Sequence, residues 1–383
     1  MKVVVQTKQF AQSLKSVLPA VCARAVLPIL GGIRIEASEG HLALESTDLE
    51  VAARHVLPNG TVVEEAGTVI VPAKPLAKAI ASMPAGEVSI QSEEVDGRTR
   101  LVLQAGPRAI TLDALPSEDW PMIPDGSNMI PIALAPAAIL SEAFARASLC
   151  ASRDEARPVL TAVALFLQAG SPTLEVVATD SYRMGALQVP LETSVTETHT
   201  LLMPGRVARE LAKQTNKATG TVTIGLVGDA KDPETKCTMV FTFGDTTWTV
   251  RPIEGEFPNW RQVMPEETGA TAEFDSEELA SAVKTAAAVG SGKGTPVRLS
   301  LGRTCSLSLV ERDAATIHED LSKATFTPDG LGDTEVAFNP TYLADGIRFL
   351  AGDTVQMWVR DPLKAVLLGP ADRRYLLMPV RIS

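Results

Sequence analysis

The stretch Leu42-Ala43-Leu44-Glu45-Ser46-Thr47-Asp48 decides the reading of this chain, because it returns twice. The second copy is Leu174-Glu175-Val176-Val177-Ala178-Thr179-Asp180, and the third is Leu307-Ser308-Leu309-Val310-Glu311-Arg312-Asp313. The three aspartates are 132 and 133 residues apart. A second landmark keeps the same phase: an apolar run that enters a proline and then a helical pattern. Its copies are Val69-Ile70-Val71-Pro72, Leu201-Leu202-Met203-Pro204 and Val336-Ala337-Phe338-Asn339-Pro340. A solenoid repeats every ~20–50 residues, so this longer period means three copies of one domain. Three like domains in a row suggest an arc, and an arc suggests a ring.

Working outward, each copy predicts two helices. One follows the first strand, at about 8–19, 136–149 and 276–289. The other follows the proline, at about 73–83, 205–217 and 341–350. Apolar residues fall at three- and four-residue spacing, as in Phe10, Leu14, Val17 and Leu18. Between the helices the chain reads as strands, near 30–37, 41–46, 49–57, 66–71, 87–92, 99–104 and 109–114 in the first copy. Alternation is plain in Thr99-Arg100-Leu101-Val102-Leu103-Gln104. The expected class is α+β, with two strand-helix-strand units per domain and helices on one face of antiparallel sheets. Expected domains are 1–126, 127–266 and 267–383. Two proline-rich joints separate them, one around Trp120 and one around Trp260, each stiffened by proline and pinned if the tryptophan is buried.

Composition excludes several classes. The 383 residues are 45% hydrophobic, enough for real cores, and no run of 18 apolar residues predicts a membrane span. The first residues lack the apolar block of a signal peptide, so a cytoplasmic location is expected. Four scattered cysteines without a CxxC pair read as reduced thiols. Asn59-Gly60-Thr61 reads as a turn. Four histidines without ligand spacing predict no metal site. The recurrent aspartates, lying in separate copies, predict turn or capping roles rather than an acid/base set.

The net charge of −11 is unevenly spread. The six helical windows hold eleven basic and five acidic residues, so the rest of the chain carries −17. The basic side chains are Lys8, Lys15, Lys74, Lys78, Arg146, Arg206, Arg209, Lys213, Lys217, Lys284 and Arg348. Either they are ordinary solvated helix faces, or like positions in three copies build one basic surface that attracts phosphate.

Seven stretches in order now carry a resemblance: Arg24-Ala25-Val26-Leu27-Pro28-Ile29-Leu30-Gly31, Ser46-Thr47-Asp48-Leu49-Glu50, Val71-Pro72-Ala73-Lys74, Ala178-Thr179-Asp180-Ser181-Tyr182-Arg183-Met184, Glu254-Gly255-Glu256-Phe257-Pro258-Asn259-Trp260-Arg261, Phe338-Asn339-Pro340-Thr341-Tyr342-Leu343 and Tyr375-Leu376-Leu377-Met378-Pro379-Val380-Arg381-Ile382. Over its whole length the chain resembles the bacterial sliding clamps, the beta subunits of DNA polymerase III. The resemblance implies three clamp domains per protomer and a head-to-tail homodimer around a pore. Helices would line that pore and sheets would form the outside. It implies a non-catalytic processivity factor of a DNA-directed DNA polymerase, with no cofactor, which encircles duplex DNA without sequence preference. Its implied partners are the replicative polymerase, an ATP-driven clamp loader, and repair and translesion polymerases that present short peptide motifs.

Arg24, Lys74, Lys78, Arg206, Arg209, Lys213 and Lys217 are the expected DNA-facing residues. The resemblance also implies a peptide groove between the second and third domains. Leu160, Thr179, Ser181, Tyr182, Arg183 and Met184 would come from the second. Pro258 and Val263 would come from the joint, and Asn339, Tyr342, Leu363 and the run Leu376-Leu377-Met378-Pro379-Val380-Arg381 from the third. Closure would set Ile110 and Leu112 near the partner's Ala288 and Val289. The chain departs from the family at Ser181-Tyr182, where Gly-His is common, and at Gln262, where a basic residue is common. A glycine loop replaces a bulkier rim, and Ser383 extends past the usual end.

One competing function belongs to another class. Gly290-Ser291-Gly292-Lys293-Gly294-Thr295 has part of a phosphate loop and would make the chain a nucleotide-using phosphotransferase. That loop needs a strand before and a helix after, whereas here a helical pattern precedes and a strand pattern follows.

Overall fold

The computed structural model describes residues 1–22, 25–38, 40–57, 61–124, 126–228, 237–289, 295–311 and 315–381. They form two compact units: 1–140 with 191–193 and 213–252, and 141–190 with 194–212 and 253–383.

The helices fall in the expected places. In each copy the first strand runs straight into a helix. Lys2–Gln6 leads to α1 (Thr7–Val17), Ile130–Pro136 to α3 (Ala137–Ala147) and Ala270–Asp275 to α6 (Ser276–Val289). The proline landmark leads to α2 (Ala73–Ser82), α4 (Gly205–Thr215) and α7 (Pro340–Leu350). A short α5 (Trp260–Val263) lies in the second joint. Local chemistry explains the boundaries. Asp275 caps α6 by accepting from the Glu278 amide at 2.9 Å. Asn339 caps α7 through the amides of Thr341 (2.9 Å) and Tyr342 (3.3 Å), and Pro340 sits at the first helical position, where a missing N–H costs nothing. Ala351 ends α7 in the left-handed conformation at φ 44°.

The first unit holds two antiparallel sheets. One runs Val62–Glu65, Lys2–Gln6, Glu87–Val95, Arg98–Ala105, Arg108–Asp113, so the last of these is an edge strand. The other has eight strands. Ile130–Pro136, Thr221–Val227, Thr238–Phe243 and Thr246–Val250 continue into Val51–Val56, His41–Thr47, Gly32–Ser38 and Gly67–Pro72. It thus joins strands of two copies at the 246–250/51–56 seam, with Thr246 opposite His55. α1 packs on the 41–47 and 51–56 strands and on α2, through buried Phe10, Leu14 and Val17.

The second unit repeats the plan. A nine-stranded sheet runs His199–Pro204, Ala162–Leu167, Thr173–Thr179, Arg183–Pro190, then Arg373–Leu377, Val366–Leu368, Thr354–Val359, Ala270–Asp275 and Thr325–Thr327. The seam is 183–190 against 373–377, with Arg183 opposite Leu377. A four-stranded sheet, Ala315–Asp320, Ser306–Glu311, Val297–Leu301 and Thr334–Phe338, completes it. α7 packs on α6 and on the 373–377 strand. Two glycines permit the close approach: a Cβ at Gly185 would run into the Phe349 ring, and one at Gly346 would meet Tyr375.

Several details differ from the sequence expectation. Val62–Glu65 is a strand the pattern did not predict. Leu49 and Glu50 form a turn rather than the start of a strand, with Leu49 at φ 76°. α4 ends at Thr215, where turn bonds Lys217 N to Gln214 O and Ala218 N to Thr215 O take over, so Lys217 lies beyond it. Arg146 is not on a solvated helix face; it is buried, bonded to Leu350 O and to Glu142. Both joint tryptophans are covered. Trp260 packs with Val177, Met184, Ala186 and Leu376, and half-buried Trp120 packs with Ile29, Leu30 and Ile70.

Candidate functional site

The turn that starts the repeat builds the site. After the strand Thr173–Thr179, the Thr179 hydroxyl donates to Arg183 O (2.8 Å) and accepts from Ser181 N (3.2 Å). Asp180 Oδ1 accepts from the amides of Tyr182 and Arg183, both at 3.0 Å. The first copy makes the same turn. Thr47 bonds Val51 O (2.9 Å) and Leu49 N (2.9 Å), and Asp48 Oδ1 takes Glu50 N (3.0 Å) and Val51 N (2.9 Å). The turn role expected for Asp48 and Asp180 is therefore what these side chains perform; Asp313 lies outside the described residues.

In the second copy this turn throws Tyr182 outward and Arg183 inward. Tyr182 is 59% exposed and Arg183 8%. The Tyr182 ring stacks on Tyr342 of α7, centroids 6.2 Å apart at 26°. The Arg183 guanidinium lies over the Tyr342 ring at 4.4 Å. Its Nε donates to Asp180 at 3.0 Å, and Nη1 donates to Asp345 of α7. Asp345 is 6% exposed and also accepts from Arg348. Tyr375 donates its hydroxyl to Tyr342 O at 2.7 Å. One buried charge pair thus ties the turn to α7 and sets the Tyr342 ring.

Burial governs the titration of these groups. It works against the Arg183 charge, yet Tyr375 and the Asp345 carboxylate outweigh it and hold the guanidinium above its usual range. Burial pushes the Tyr375 hydroxyl well up and the neighbouring Cys150 thiol up. Burial, then the nearby Asp180 charge, raises Tyr342. None of the three is set up as a nucleophile or base near neutral pH.

Beside the stacked rings opens a cleft of about 910 Å³. Tyr182, Arg183, Asn339 and Tyr342 line it, as do Ser148, Arg153, Asp154, Arg157 and Arg209. Met378 N donates to Tyr182 O at 2.9 Å, and Val380 N to Ala337 O at 2.8 Å. Exposed Met378 and Val380 therefore continue from the tyrosine wall. Pro258, Val263, Leu363, Pro379 and Arg381 are also open or partly open. Ser181 is exposed and accepts from Arg157 at 3.3 Å. Other residues expected in the groove are buried. Met184 and Leu376 pack around Trp260, while Leu160, Thr179 and Leu377 are buried. Sequence reasoning missed Arg153, Arg157 and Asp345. The mixed-charge loop Arg153-Asp154-Glu155-Ala156-Arg157 was a usable signal.

Among the DNA candidates, Lys74 and Lys78 are exposed one turn apart on α2. Arg206, Arg209 and Lys213 are exposed at i, i+3 and i+7 on α4, opposite buried Val207, Ala208 and Leu211. Arg209 also reaches Ser148 O at 3.4 Å. Lys217 is exposed past the helix end, and Arg24 lies outside the described residues. Ile110 and Leu112 are half-buried on the edge strand 108–113, whose other residues are exposed, and Ala288 and Val289 are exposed at the end of α6. Residues 290–294 of the glycine loop lie outside the described set. Its flanks are helix α6 before and the strand Val297–Leu301 after, the reverse of a phosphate loop. Asn59 and Gly60 also lie outside.

Comparison with known proteins gives one answer along the chain. Three family models match in succession: the DNA polymerase III beta subunit N-terminal domain at residues 1–124, its central domain at 135–259 and its C-terminal domain at 261–381. The beta sliding clamp of Streptomyces coelicolor is 28% identical over 393 residues, with all of both chains covered. That of Synechocystis is 25% identical over 407 residues, again with full coverage of both. Among solved structures, the DNA polymerase sliding clamp of Bacillus subtilis covers both chains fully at a TM-score of 0.90 and 20% identity. The beta subunit from the DNA polymerase of Streptococcus pyogenes does so at 0.89 and 22%. The two structures speak for the fold alone.

Proposed function

Because this chain belongs to the DNA polymerase III beta subunit family, the sliding clamps, and is therefore a processivity factor, we propose how its own residues divide the work. The observation that carries the reading is that three beta-subunit domains follow one another over residues 1–381. Domains of 1–126, 127–266 and 267–383 assemble as a head-to-tail homodimer closed around duplex DNA. The role is non-catalytic, within a DNA-directed DNA polymerase holoenzyme, and cytoplasmic; among the described residues no helix is long and apolar enough to cross a membrane.

Closure uses Ile110 and Leu112. Their strand is an open edge of its sheet, and such an edge invites pairing by a second chain. The partner surface is placed near Ala288 and Val289. A head-to-tail contact joins different patches and closes only at the right rotation. Duplex contacts come from Lys74, Lys78, Arg206, Arg209, Lys213 and Lys217, with Arg24 on the adjacent loop. Lysine and arginine contacts to phosphate position a duplex without reading it, which permits sliding.

Clients bind along the second unit's seam. Replicative, repair and translesion polymerases, and the loader, lay a short peptide over Tyr182, Tyr342, Met378, Pro379 and Val380, with Pro258, Val263 and Leu363 as further apolar steps. Arg183 holds the floor rather than meeting solvent, as its exposure of 8% supports.

The test is topological. The chain is loaded on nicked circular duplex by a clamp loader with ATP, isolated by gel filtration, and the circle is then cut once. Release on cutting is expected. Retention on the linear product would mean that contacts, not encirclement, hold the DNA.

A further inference from the structure

The two proline-rich joints lie on unlike ground. In the second unit the strands beneath the joint offer Ala164, Phe166, Val177 and Ala186, with Ala164 opposite Val177 and Val177 opposite Ala186. Trp260 sits there at 8% exposure, and its contacts cross the seam. Val177, Met184 and Ala186 belong to the second copy, Leu376 and Ala365 to the third. In the first unit the same strand positions carry Arg34, Glu36, Glu45 and Arg54, in the same register: Arg34 opposite Glu45, and Glu45 opposite Arg54. These four form a chain of ion pairs, Arg34 to Glu45 at 2.9 Å, Arg34 to Glu36 at 3.1 Å and Arg54 to Glu36 at 3.1 Å. A cleft of about 480 Å³ opens between this charged grid and residues 120–123 of the first joint, where Met122 is fully exposed. Trp120 grips the first copy alone, through Ile29, Leu30 and Ile70. Further on, Gly126 lies so close to Thr247 and Val240 of the second copy that a Cβ there would press on both. The first joint therefore holds on either side of its seam and crosses charged ground in between.

The two crossings differ in what it takes to lift them. Lifting Trp260 returns an indole to water, roughly 150–250 Å² of surface when fully buried, and uncovers both sides of its seam. Lifting the first joint wets a grid whose members are already paired, and three of them, Arg34, Glu36 and Arg54, have side chains 24–29% exposed. Water favours those charges rather than opposing the motion. The second seam is also locked by the buried Arg183–Asp345 pair and by Arg146 on Leu350 O. We propose that the first seam is where the protomer bends and that the second is a rigid block, with residues 116–124 a strap that rides over the grid as the first seam flexes. The use of this bend rests on the ring reading above. A closed ring must open to admit circular DNA, and bending at the first seam changes the arc while the block that carries Tyr182, Tyr342 and Met378 keeps its shape. A client seated on that block stays seated while the ring moves.

Hydrogen exchange of the full chain, read peptide by peptide by mass spectrometry and corrected for intrinsic rates, tests the bend without DNA, loader or client. Amides of 116–124 and of the first seam's strands, Val51–Val56 and Thr246–Val250, should exchange about tenfold faster than those of 253–264, Arg183–Pro190 and Arg373–Leu377. Equal protection of the two seams, or better protection of the first, would overturn the proposal. Two variants press it from opposite sides. Arg34→Ala, Glu36→Phe, Glu45→Val and Arg54→Ala together give the first seam the second's ground. The strap should then seat, its exchange should fall to that of 253–264, and loader-driven loading on nicked circular duplex should slow severalfold. Trp260→Ala does the converse: exchange at 183–190 and 373–377 should rise towards the first seam's level while the first seam's own exchange holds. A fourfold variant whose strap still exchanges fast, or a Trp260→Ala protein whose second seam stays protected, would each refute the unequal seams. If the fourfold variant does not fold, Trp260→Ala and the unaltered chain decide. Failure of the unaltered chain to load at all would count against the ring reading alone, because exchange judges the bend in the absence of DNA.

Discussion

Replacing Asp345 with asparagine should loosen the whole second unit. Arg183 and Asp345 are 8% and 6% exposed, so the variant leaves a guanidinium buried without its main counter-ion. Breaking such a pair from one side costs roughly 3–5 kcal/mol. Two contacts soften the loss here: Asp180 at 3.0 Å from Nε, and the Tyr342 ring face at 4.4 Å. The amide oxygen of asparagine also still accepts a hydrogen bond. With those retained, the expected cost is about 2–3 kcal/mol. Arg348 adds little, because it is solvent-exposed. At roughly 2–4 °C per kcal/mol for a unit of this size, melting should fall by about 5–10 °C. Tryptophan fluorescence can follow it, since Trp260 and Trp358 both lie in this unit. A double-mutant cycle with Arg183→Gln should show a coupling of about 1–3 kcal/mol. Additive single variants, or an Asp345→Asn protein that melts with the wild type, would refute the idea that this pair ties the turn to α7.

Three further outcomes are expected. Ile110→Glu with Leu112→Glu places charges where an apolar strand face needs cover, costing several kcal/mol, so light scattering should read a monomer at micromolar concentration; a persisting dimer would move the interface elsewhere. Arg206→Gln with Lys213→Gln should weaken binding to duplex of any sequence and cut the log–log salt slope by about 2, whereas an unchanged slope would take α4 off the DNA. His55, with Nδ1 2.8 Å from Thr246 Oγ1 across the first seam, has its pKa lowered by burial, which the Asp245 charge opposes. The unfolded chain then takes up this proton first, so stability should fall as pH drops through the ordinary 6.5. His55→Gln should flatten that dependence between pH 7.5 and 5.5, and identical slopes in both proteins would remove His55 as the cause.

The repeat, the helices and the family were legible because each rests on local pattern. The phase of Thr47-Asp48 and Thr179-Asp180 marks a turn held by neighbours only, and Phe10, Leu14 and Val17 announce a helix by spacing. What stayed hidden depends on partners far along the chain. In the sequence Arg183 is one expected groove residue among many, and its partner Asp345 is 162 positions away. Leu376 and Met184 carry an apolar label that does not say whether they face a groove or a tryptophan. Val62–Glu65 has two valines and two glutamates, too little alternation to mark a strand, and it is one because Lys2–Gln6 offers it an edge. Arg146 showed only that a helix carried a charge; that Leu350 O would bond it could not be read from spacing.

The twin turns at 47–51 and 179–183 have a consequence for how such a chain can diversify. Every bond that holds the turn comes from the threonine, the aspartate and the backbone. To the turn itself the two residues at the tip contribute their amides, and the first of them sits at a positive φ, 76° at Leu49 and 78° at Ser181. Their side chains are thus not what holds the turn; in the second copy Ser181 Oγ accepts from Arg157 at 3.3 Å and Tyr182 stacks on Tyr342. One copy is loaded with leucine and glutamate, the other with serine and a tyrosine that became a wall of a cleft. After duplication, such a position can acquire a new surface in a single substitution while its twin keeps the old one. Exchanging the tip residues between copies should therefore transplant surface chemistry without disturbing either seam.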